Sequence, residues 1–367
     1  LDHSRPVTGR PRCAPVSKSE SRAASLSNAD RRAPAAVVFG CAGTTLSDEE
    51  RALFQQSDPL GFILFARNID TPEQVRGLTA DLRKAVGRED AIIMIDQEGG
   101  RVRRLRPPHW PDYPAMEPFG TRAADDMDEA AACVALNYRL IADDLKALGI
   151  DVDCAPVLDL PAPDGHAIIG DRAFSDNPAV IARLGQAVCD GLTSGGVMPG
   201  IKHIPGHGRA RADSHLELPH VDVSVETLNA TDFAPFKALK DAPAGMTAHI
   251  VYDAIDAENP GSSSSMVVQD VIRGDIGFDG LLFSDDVCMK ALSGPLEQRV
   301  NSVLAAGCDV ALHCDGDFAD MEKIAANCPP MRPDSMERLD AARPADGDSH
   351  SMDREAAKRR ISAFLDA

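Results

Sequence analysis

This sequence is poor in aromatic residues, in basic residues and in long apolar runs. Aromatic side chains make up 4% of it, and no apolar run approaches the roughly 18 residues that a membrane-spanning helix needs. With 38 Lys and Arg against 57 Asp and Glu, the formal net charge is -19, which repels phosphate backbones and anionic membrane surfaces. We therefore expect no nucleic-acid partner and no membrane.

Paired cysteine spacings are also missing. The nine cysteines form no C-x-x-C motif, and their odd number excludes a fully paired disulfide framework. A reducing compartment is the simpler interpretation, so the sequence predicts a cytoplasmic protein. We expect it to be a monomer.

The first 34 residues have no apolar centre and are rich in Arg, Ser and Pro. We predict that residues 1–34 form a disordered arm and that residues 35–367 form one catalytic domain. Within that domain, the Pro-rich stretch from Pro329 to Pro344 should interrupt regular structure, and Ala356 to Leu365 should form a last helix.

Short apolar runs alternate with helix-like segments through the rest of the chain. The runs are Ala36–Gly40, Gly61–Phe65, Ala91–Ile95, Ile150–Val157, Val197–Lys202, Ala244–Ile250, Gly280–Phe283 and Asp309–His313. Eight such runs, apolar at consecutive positions, predict an α/β fold with a single TIM-like (β/α)8 barrel. Ser47 with Glu50 and Thr71 with Gln74 are typical of capping boxes, and Gly195-Gly196 is typical of a helix end.

Polar residues follow most of these runs, where an active site of such a barrel forms. They are Arg67, Asn68, Asp96, Asp159, Lys202, His203, His249, Asp285 and Asp286. So many carboxylates, imidazoles and cations at one rim predict a polar pocket for a hydroxyl-rich ligand.

Two of the segments suggest catalytic roles. Asp285 follows a strand-like run, where a partly desolvated carboxylate can attack a sugar anomeric carbon; the alternative is a helix N-cap, for which Asp286 is the better candidate. Asp213 and His215 lie two residues apart, so the carboxylate can orient the imidazole as a general acid and base, although such a pair also arises incidentally on surfaces.

The histidines at 203, 207 and 215 also raise the question of a metal site. Pro205 and Gly206 break any helix that would align His203 with His207, so we expect no metal there. The Gly206-His207-Gly208 turn lacks the second spacing of a dinucleotide fingerprint, and we expect no cofactor.

Five motifs together resemble those of the family 3 glycoside hydrolases, most closely the single-domain bacterial β-N-acetylglucosaminidases of peptidoglycan recycling. The motifs are Asp96-Gln97-Glu98-Gly99-Gly100-Arg101-Val102-x-Arg104, Ile169-Gly170-Asp171-Arg172-x-Phe174, Lys202-His203-x-Pro205-Gly206-His207-Gly208, Asp213-Ser214-His215 and Phe283-Ser284-Asp285-Asp286. They follow the family's order between about Val37 and about Cys314. The departures are Ile204, where the family often has Phe, and Val287-Cys288-Met289 in place of Leu-Ser-Met.

The resemblance implies a retaining β-N-acetylglucosaminidase acting on cytosolic muropeptides through a covalent glycosyl-enzyme. It implies Asp285 as the nucleophile and His215, paired with Asp213, as the acid/base on a mobile loop. The expected sugar-binding residues are Asp96, Arg104, Arg172, Lys202 and His203, together with His249 at the end of the sixth run.

Three other functions stay open at the level of sequence. A phosphorylase would resolve the same intermediate with phosphate, since a histidine acid/base repels that anion less than a carboxylate would. A catalytically silent sugar-binding barrel would lack Asp285, Asp213 or His215, and all three are present. A Schiff-base aldolase would use Lys202, but the surrounding carboxylates disfavour it.

Overall fold

Eight parallel strands close into a barrel in the computed structural model, which describes residues 32–162, 165, 167–210, 218–344 and 352–367. The barrel strands are β1 (Ala35–Phe39), β2 (Pro59–Leu64), β3 (Ile92–Ile95), β4 (Val152–Asp153), β5 (Met198–Ile204), β7 (Ala244–Thr247), β9 (Leu281–Asp286) and β10 (Val310–His313). The two remaining strands, β6 (His220–Val221) and β8 (Val251–Tyr252), pair with each other in a separate parallel sheet. The order around the barrel is β1-β10-β9-β7-β5-β4-β3-β2. This confirms the predicted TIM-like (β/α)8 barrel.

The strands are buried along their length because side chains fill the barrel on one face and helices cover the other. Every residue of β2, β3, β5 and β10 is buried. This is why the strands appear in the sequence as continuous apolar runs rather than as alternating ones.

Four predicted strand ends differ from the structure by two or more residues, and one of them is the end of β7 at Thr247 instead of Ile250. β4 spans two residues, because the N–H of Ala155 turns back to the carbonyl oxygen of Asp153 and Pro156 has no N–H, and Val157 contributes only an isolated bridge to Lys202. β5 continues to Ile204 and β9 continues to Asp286. Asp285 therefore lies within the last residues of its strand and not in the loop after it.

Helices cover the outside of the barrel. They are α1 (Asp48–Ser57), α2 (Pro72–Val86), α3 (Met116–Arg122), α4 (Met127–Ala147), α5 (Pro178–Ser194), α6 (Val225–Ala230), α7 (Ala234–Ala238), a π-helical segment (Met266–Asp275), α8 (Leu296–Ala306), α9 (Phe318–Asn327), α10 (Pro333–Ala342) and α11 (Arg354–Asp366). No helix among the described ranges is both long enough and apolar enough to span a membrane.

Most of the predicted helix signals are confirmed. Ser47 and Glu50 form a reciprocal capping box at α1, and Gly195 is the C-cap of α5. At α2 the prediction is half right: the Thr71 hydroxyl accepts the N–H of Gln74, but Gln74 Oε1 accepts the N–H of Asp70 at 2.9 Å instead of closing the box.

The C-terminal part of the chain is more regular than its proline content indicates. The prediction that Pro329 to Pro344 interrupts regular structure is wrong for α10, because Pro333 lies in the first turn of that helix, where no backbone N–H is required. The last helix is confirmed as α11, and Arg354 Nη2 binds Asp144 of α4 at 2.7 Å. Ala33 to Ala367 form one compact unit; residues 1–31 of the predicted arm lie outside the described residues.

Candidate active site

A polar pocket of about 250 Å³ opens at the carboxyl ends of the barrel strands. It is lined by Ile63, Phe65, Asp96, Glu98, Arg101, Val102, Arg104, Ile168, Ile169, Arg172, Lys202, His203, His207, Met246, Asp285, Asp286, Met289, Leu312 and Cys314. Six of the predicted site residues, from Asp96 to Asp285, are in this lining. Because strands far apart in sequence end at the same rim, the barrel brings these residues together.

Two carboxylates and three cations form an ion-pair network in one wall. Asp96 binds Lys202 Nζ at 2.8 Å and Arg104 Nη2 at 2.8 Å. Glu98 binds Lys202 Nζ at 2.6 Å and accepts two hydrogen bonds of 2.8 Å from Arg172, so that Arg172 is held in a planar, bidentate geometry. The network carries a formal charge of +1 and fixes three cationic side chains at the pocket before any ligand arrives.

Burial and charge act in opposite directions on this network. Burial by itself raises the pKa of Asp96, but Lys202 and Arg104 outweigh it and hold that pKa well below its usual range. Burial likewise raises the pKa of Glu98, and Arg172 and Lys202 outweigh it. Burial lowers the pKa of Lys202, whereas Asp96 and Glu98 raise it above its usual value. Lys202 is therefore an ammonium ion, which cannot attack a carbonyl carbon as the aldolase alternative requires.

Asp159 holds two histidines at a second wall. Its Oδ2 lies 2.7 Å from His203 Nδ1, and its Oδ1 accepts the backbone N–H of His207 at 2.7 Å. Burial raises the pKa of Asp159, but the His203 imidazole outweighs it and the result is about 2. An ionised Asp159 accepts the proton of His203 Nδ1, which leaves Nε2 as the ring nitrogen available to the pocket.

Asp285 is a buried carboxylate, 6% exposed, at the end of β9. Burial raises its pKa, but His249, His203 and the backbone N–H of Asp286 lower it, and the net pKa is below the usual value. The Asp286 N–H donates to Oδ1 at 2.8 Å. Asp285 is thus ionised at neutral pH and lines the pocket, as a carboxylate nucleophile must.

The prediction for His249 needs correction. This residue is completely buried, it is not among the residues that line the pocket, and both of its ring nitrogens contact protein atoms. Nε2 lies 2.9 Å from the Asp286 carbonyl oxygen, so it carries the proton, and Nδ1 accepts from the Ser262 hydroxyl at 2.5 Å. Burial lowers the pKa of His249, in agreement with a neutral ring. His249 supports the chain that follows Asp285 and is not free to hold a sugar.

Three other polar residues of the rim have structural partners. Asp286 is not a helix N-cap, because the next helix, α8, begins after Pro295; its Oδ1 accepts the N–H groups of Cys288 and Cys314. Arg67 donates to the carbonyl oxygens of Cys41 and Cys314, and Asn68 also donates to that of Cys41.

Asp213 and His215, the predicted acid/base pair, lie outside the described residues. Gly208, which precedes the pair in the same loop, packs against the backbone of Leu160. A Cβ at Gly208 would lie 1.8 Å from the carbonyl oxygen of Leu160, so only glycine fits there. The catalytic roles of Asp213 and His215 therefore stay a prediction. The described residues include the beginning of their loop, where His207 lines the pocket.

Glu98 and Phe65 are among the lining residues that the sequence did not reveal as site residues. Glu98 belongs to the Asp96-Gln97-Glu98-Gly99-Gly100 motif, and its buried position beside Lys202 could not be inferred from spacing alone. Phe65 lies beneath the guanidinium groups of Arg67 and Arg104, 5.0 and 4.8 Å from its ring centre, and no pattern in the sequence distinguishes it from a core residue.

The chain is similar to known glycoside hydrolases over most of its length. Residues 33–342 match the Glycosyl hydrolase family 3 N terminal domain. A β-hexosaminidase of Chromobacterium violaceum is 39% identical over 310 residues, which are 83% of this chain and 85% of the relative. A β-hexosaminidase of Alkalilimnicola ehrlichii is 41% identical over 286 residues, which are 76% of this chain and 80% of the relative.

A solved structure has the same fold. The crystal structure of NagZ from Neisseria gonorrhoeae in complex with N-trifluoroacetyl-D-glucosamine superposes with a TM-score of 0.83 at 33% identity. The match covers 91% of this chain and 99% of that one.

Proposed function

Because this chain belongs to family 3 of the glycoside hydrolases and is a β-N-acetylhexosaminidase, we propose that it acts with retention of configuration through a covalent glycosyl-enzyme. Its substrates in this proposal are cytosolic muropeptides, from which it removes the non-reducing terminal N-acetylglucosamine linked to 1,6-anhydro-N-acetylmuramic acid. The observation that carries the proposal is Asp285, a buried and ionised carboxylate in a pocket whose other groups suit a sugar.

In the first step Asp285 attacks the anomeric carbon while His215 donates a proton to the departing oxygen. The bond between sugar and aglycone breaks, and an ester between Asp285 and the sugar forms. In the second step His215 takes a proton from water, the water oxygen attacks the same carbon, and the Asp285 carboxylate is released. Asp213 orients His215 and stabilises its charged form.

The remaining groups bind the terminal sugar. Asp96 and the Arg104, Arg172 and Lys202 cations offer acceptors and donors to hydroxyl and acyl groups, and His203 adds Nε2. The gonococcal relative holds an N-acylated glucosamine, which supports an N-acetyl sugar as the ligand of the pocket here. Every step uses side chains of one chain, so the proposal needs no cofactor and takes the enzyme as a monomer.

The proposed catalytic domain is residues 35–367, which the compact unit from Ala33 to Ala367 supports, and the proposed arm is residues 1–34, of which Ala33 and Pro34 belong to that compact unit. The enzyme is cytoplasmic in this proposal, which the free thiols of the described cysteines support, since the partly exposed thiols of Cys288 and Cys328 persist in a reducing compartment.

The experiment is to hydrolyse an aryl N-acetyl-β-glucosaminide and to record the first product by NMR, with and without phosphate. Retention predicts that the β-anomer of N-acetylglucosamine appears before mutarotation; initial release of the α-anomer would contradict it. Phosphate-dependent formation of a sugar 1-phosphate would make the enzyme a phosphorylase. Comparing kcat/KM for N-acetylglucosaminyl-1,6-anhydro-N-acetylmuramic acid and for chitobiose tests the muropeptide part; a clear preference for chitobiose would contradict it.

Asp285→Asn should lower kcat by at least about a thousandfold, because an amide is not a nucleophile toward the sugar. Asp279→Asn is the matched control, since Asp279 precedes the same strand at the opposite end of the barrel and pairs with Arg338 on the surface. It should leave kcat and KM unchanged.

A further inference from the structure

A cluster of side chains that can bind a metal ion lies beside the pocket. It contains none of the proposed sugar-binding or catalytic residues. Among the described residues, ligand atoms of Cys288, His313 and Asp315 all lie within 4.8 Å of one another. They come from the turn after β9 and from the end of β10. None of the three lines the sugar pocket.

His313 is the least satisfied of the three. Its side chain is completely buried; Nε2 lies 3.1 Å from Asp315 Oδ1, and Nδ1 has no hydrogen-bond partner in the described part of the chain. The edge of the ring packs on Phe39, 5.8 Å between centroids, so the protein fixes its position. A buried ring nitrogen with a poor or missing partner is costly, and a cation coordinated by the ring would give one of the two nitrogens a strong partner.

The two segments that carry the cluster are already tied together. Asp286 Oδ1 accepts the N–H of Cys288 at 3.0 Å and the N–H of Cys314 at 3.1 Å. The ligand atoms are therefore held close by the backbone before any ion arrives, which lowers the entropy cost of binding.

We propose that Cys288, His313 and Asp315 form a binding site for a zinc-like divalent cation at the edge of the sugar pocket. Thiolate, imidazole and carboxylate are all ligands of Zn²⁺, with bonds of about 2.0 to 2.3 Å, so tetrahedral ligands lie roughly 3.2 to 3.7 Å apart. The 3.1 Å between His313 and Asp315 is close to this separation, and the cysteine needs a shift of at most about an ångström. Water takes the fourth position.

Coordination replaces the S–H bond of Cys288 with a sulfur–metal bond and releases the thiol proton to solvent. Burial and the nearby Asp286 raise the pKa of this thiol well above its usual value, so the cation has to stabilise the thiolate. Cys288 stands where the family resemblance leads us to expect serine, and serine is a poor zinc ligand. The site would thus depend on a residue in which this chain departs from the family pattern.

The test is equilibrium dialysis of the full-length, chelator-treated protein against Zn²⁺, with bound metal measured by mass spectrometry. The wild-type protein should bind one Zn²⁺ at this site, and Cys288→Ser and Asp315→Asn should each weaken binding at least tenfold. Cys328→Ser is the matched control, because Cys328 is a similarly half-buried free cysteine whose thiol contacts Pro329. It should bind Zn²⁺ as the wild type does.

Two measurements separate this site from binding in the sugar pocket. Co²⁺ bound here should give a thiolate-to-cobalt absorption band that disappears in Cys288→Ser, and Asp285→Asn should retain both the band and Zn²⁺ binding. Wild-type protein that binds no Zn²⁺, a Cys288→Ser variant that binds it normally, or binding lost in Asp285→Asn and kept in Cys288→Ser would each overturn the proposal.

Discussion

Lys202 and Glu98 form an ion pair with 2.6 Å between Nζ and Oε1, and each side chain is only 2% exposed. Glu98 also holds Arg172, and Lys202 also binds Asp96. The donors that face the pocket are therefore oriented by protein partners and need no reorganisation when a sugar binds.

Replacing Glu98 by Gln should destabilise the fold by about 3 kcal/mol, because it leaves the Lys202 and Arg172 charges buried with one carboxylate fewer. Urea denaturation measures the change. Glu73→Gln, which removes a solvent-exposed partner of Arg76, is the control and should leave the midpoint where it is. Equal midpoints for Glu98→Gln and the wild type would contradict the importance of this network.

Asp159→Asn should raise KM about tenfold and change kcat by less than about threefold, because a charge-assisted hydrogen bond of roughly 1.4 kcal/mol to His203 Nδ1 is lost. The Asn amide also favours the other tautomer of the ring, so the pH profile of kcat/KM should change. The control is Asp253→Asn, which removes the same kind of partner from the exposed His220. A large loss of kcat with unchanged KM would show that Asp159 does not act by positioning a binding group.

Asp153 makes stability depend on pH. It is buried beneath the ion-pair network; its Oδ1 accepts the N–H of Gln97 at 2.9 Å, and its Oδ2 has no hydrogen-bond partner among the described residues. Burial raises its pKa to about 7, against about 3.9 for an unfolded chain. Because the unfolded chain loses this proton first as the pH rises, its contribution to stability is complete below about pH 4 and is lost as the pH rises through 7.

Asp153→Asn cannot ionise, so its free energy of unfolding should rise relative to the wild type between pH 4 and pH 8, by about 4 kcal/mol. Denaturation curves at several pH values measure this difference, and any pH-independent cost of the amide cancels in the comparison. Asp241→Asn, at an exposed position, should run parallel to the wild type. If the free energy of unfolding of Asp153→Asn also changed with pH as that of the wild type does, the raised pKa of Asp153 would be contradicted.

The barrel and much of the pocket are predictable from the sequence, because strands covered on both faces leave continuous apolar runs and the residues after them meet at one rim. The same rule failed for His249, since a position near a strand end does not tell whether a side chain points to the pocket or to Ser262 behind it. Glu98 was missed because its role depends on Lys202, which lies 104 residues later in the numbering and meets it only in the closed barrel. The prediction that the Pro-rich stretch interrupts regular structure failed at Pro333, because a proline that ends one segment can also begin the next helix.

In the proposed mechanism, Asp285 forms a covalent bond to the sugar. The most direct test is to incubate the enzyme with a fluorinated N-acetylglucosaminide that forms the glycosyl-enzyme faster than it hydrolyses, and to map the adduct by peptide mass spectrometry. We expect one sugar per chain, attached to Asp285, and no adduct in Asp285→Asn. An adduct on another residue, or full turnover of an aryl N-acetylglucosaminide by Asp285→Asn, would contradict the account.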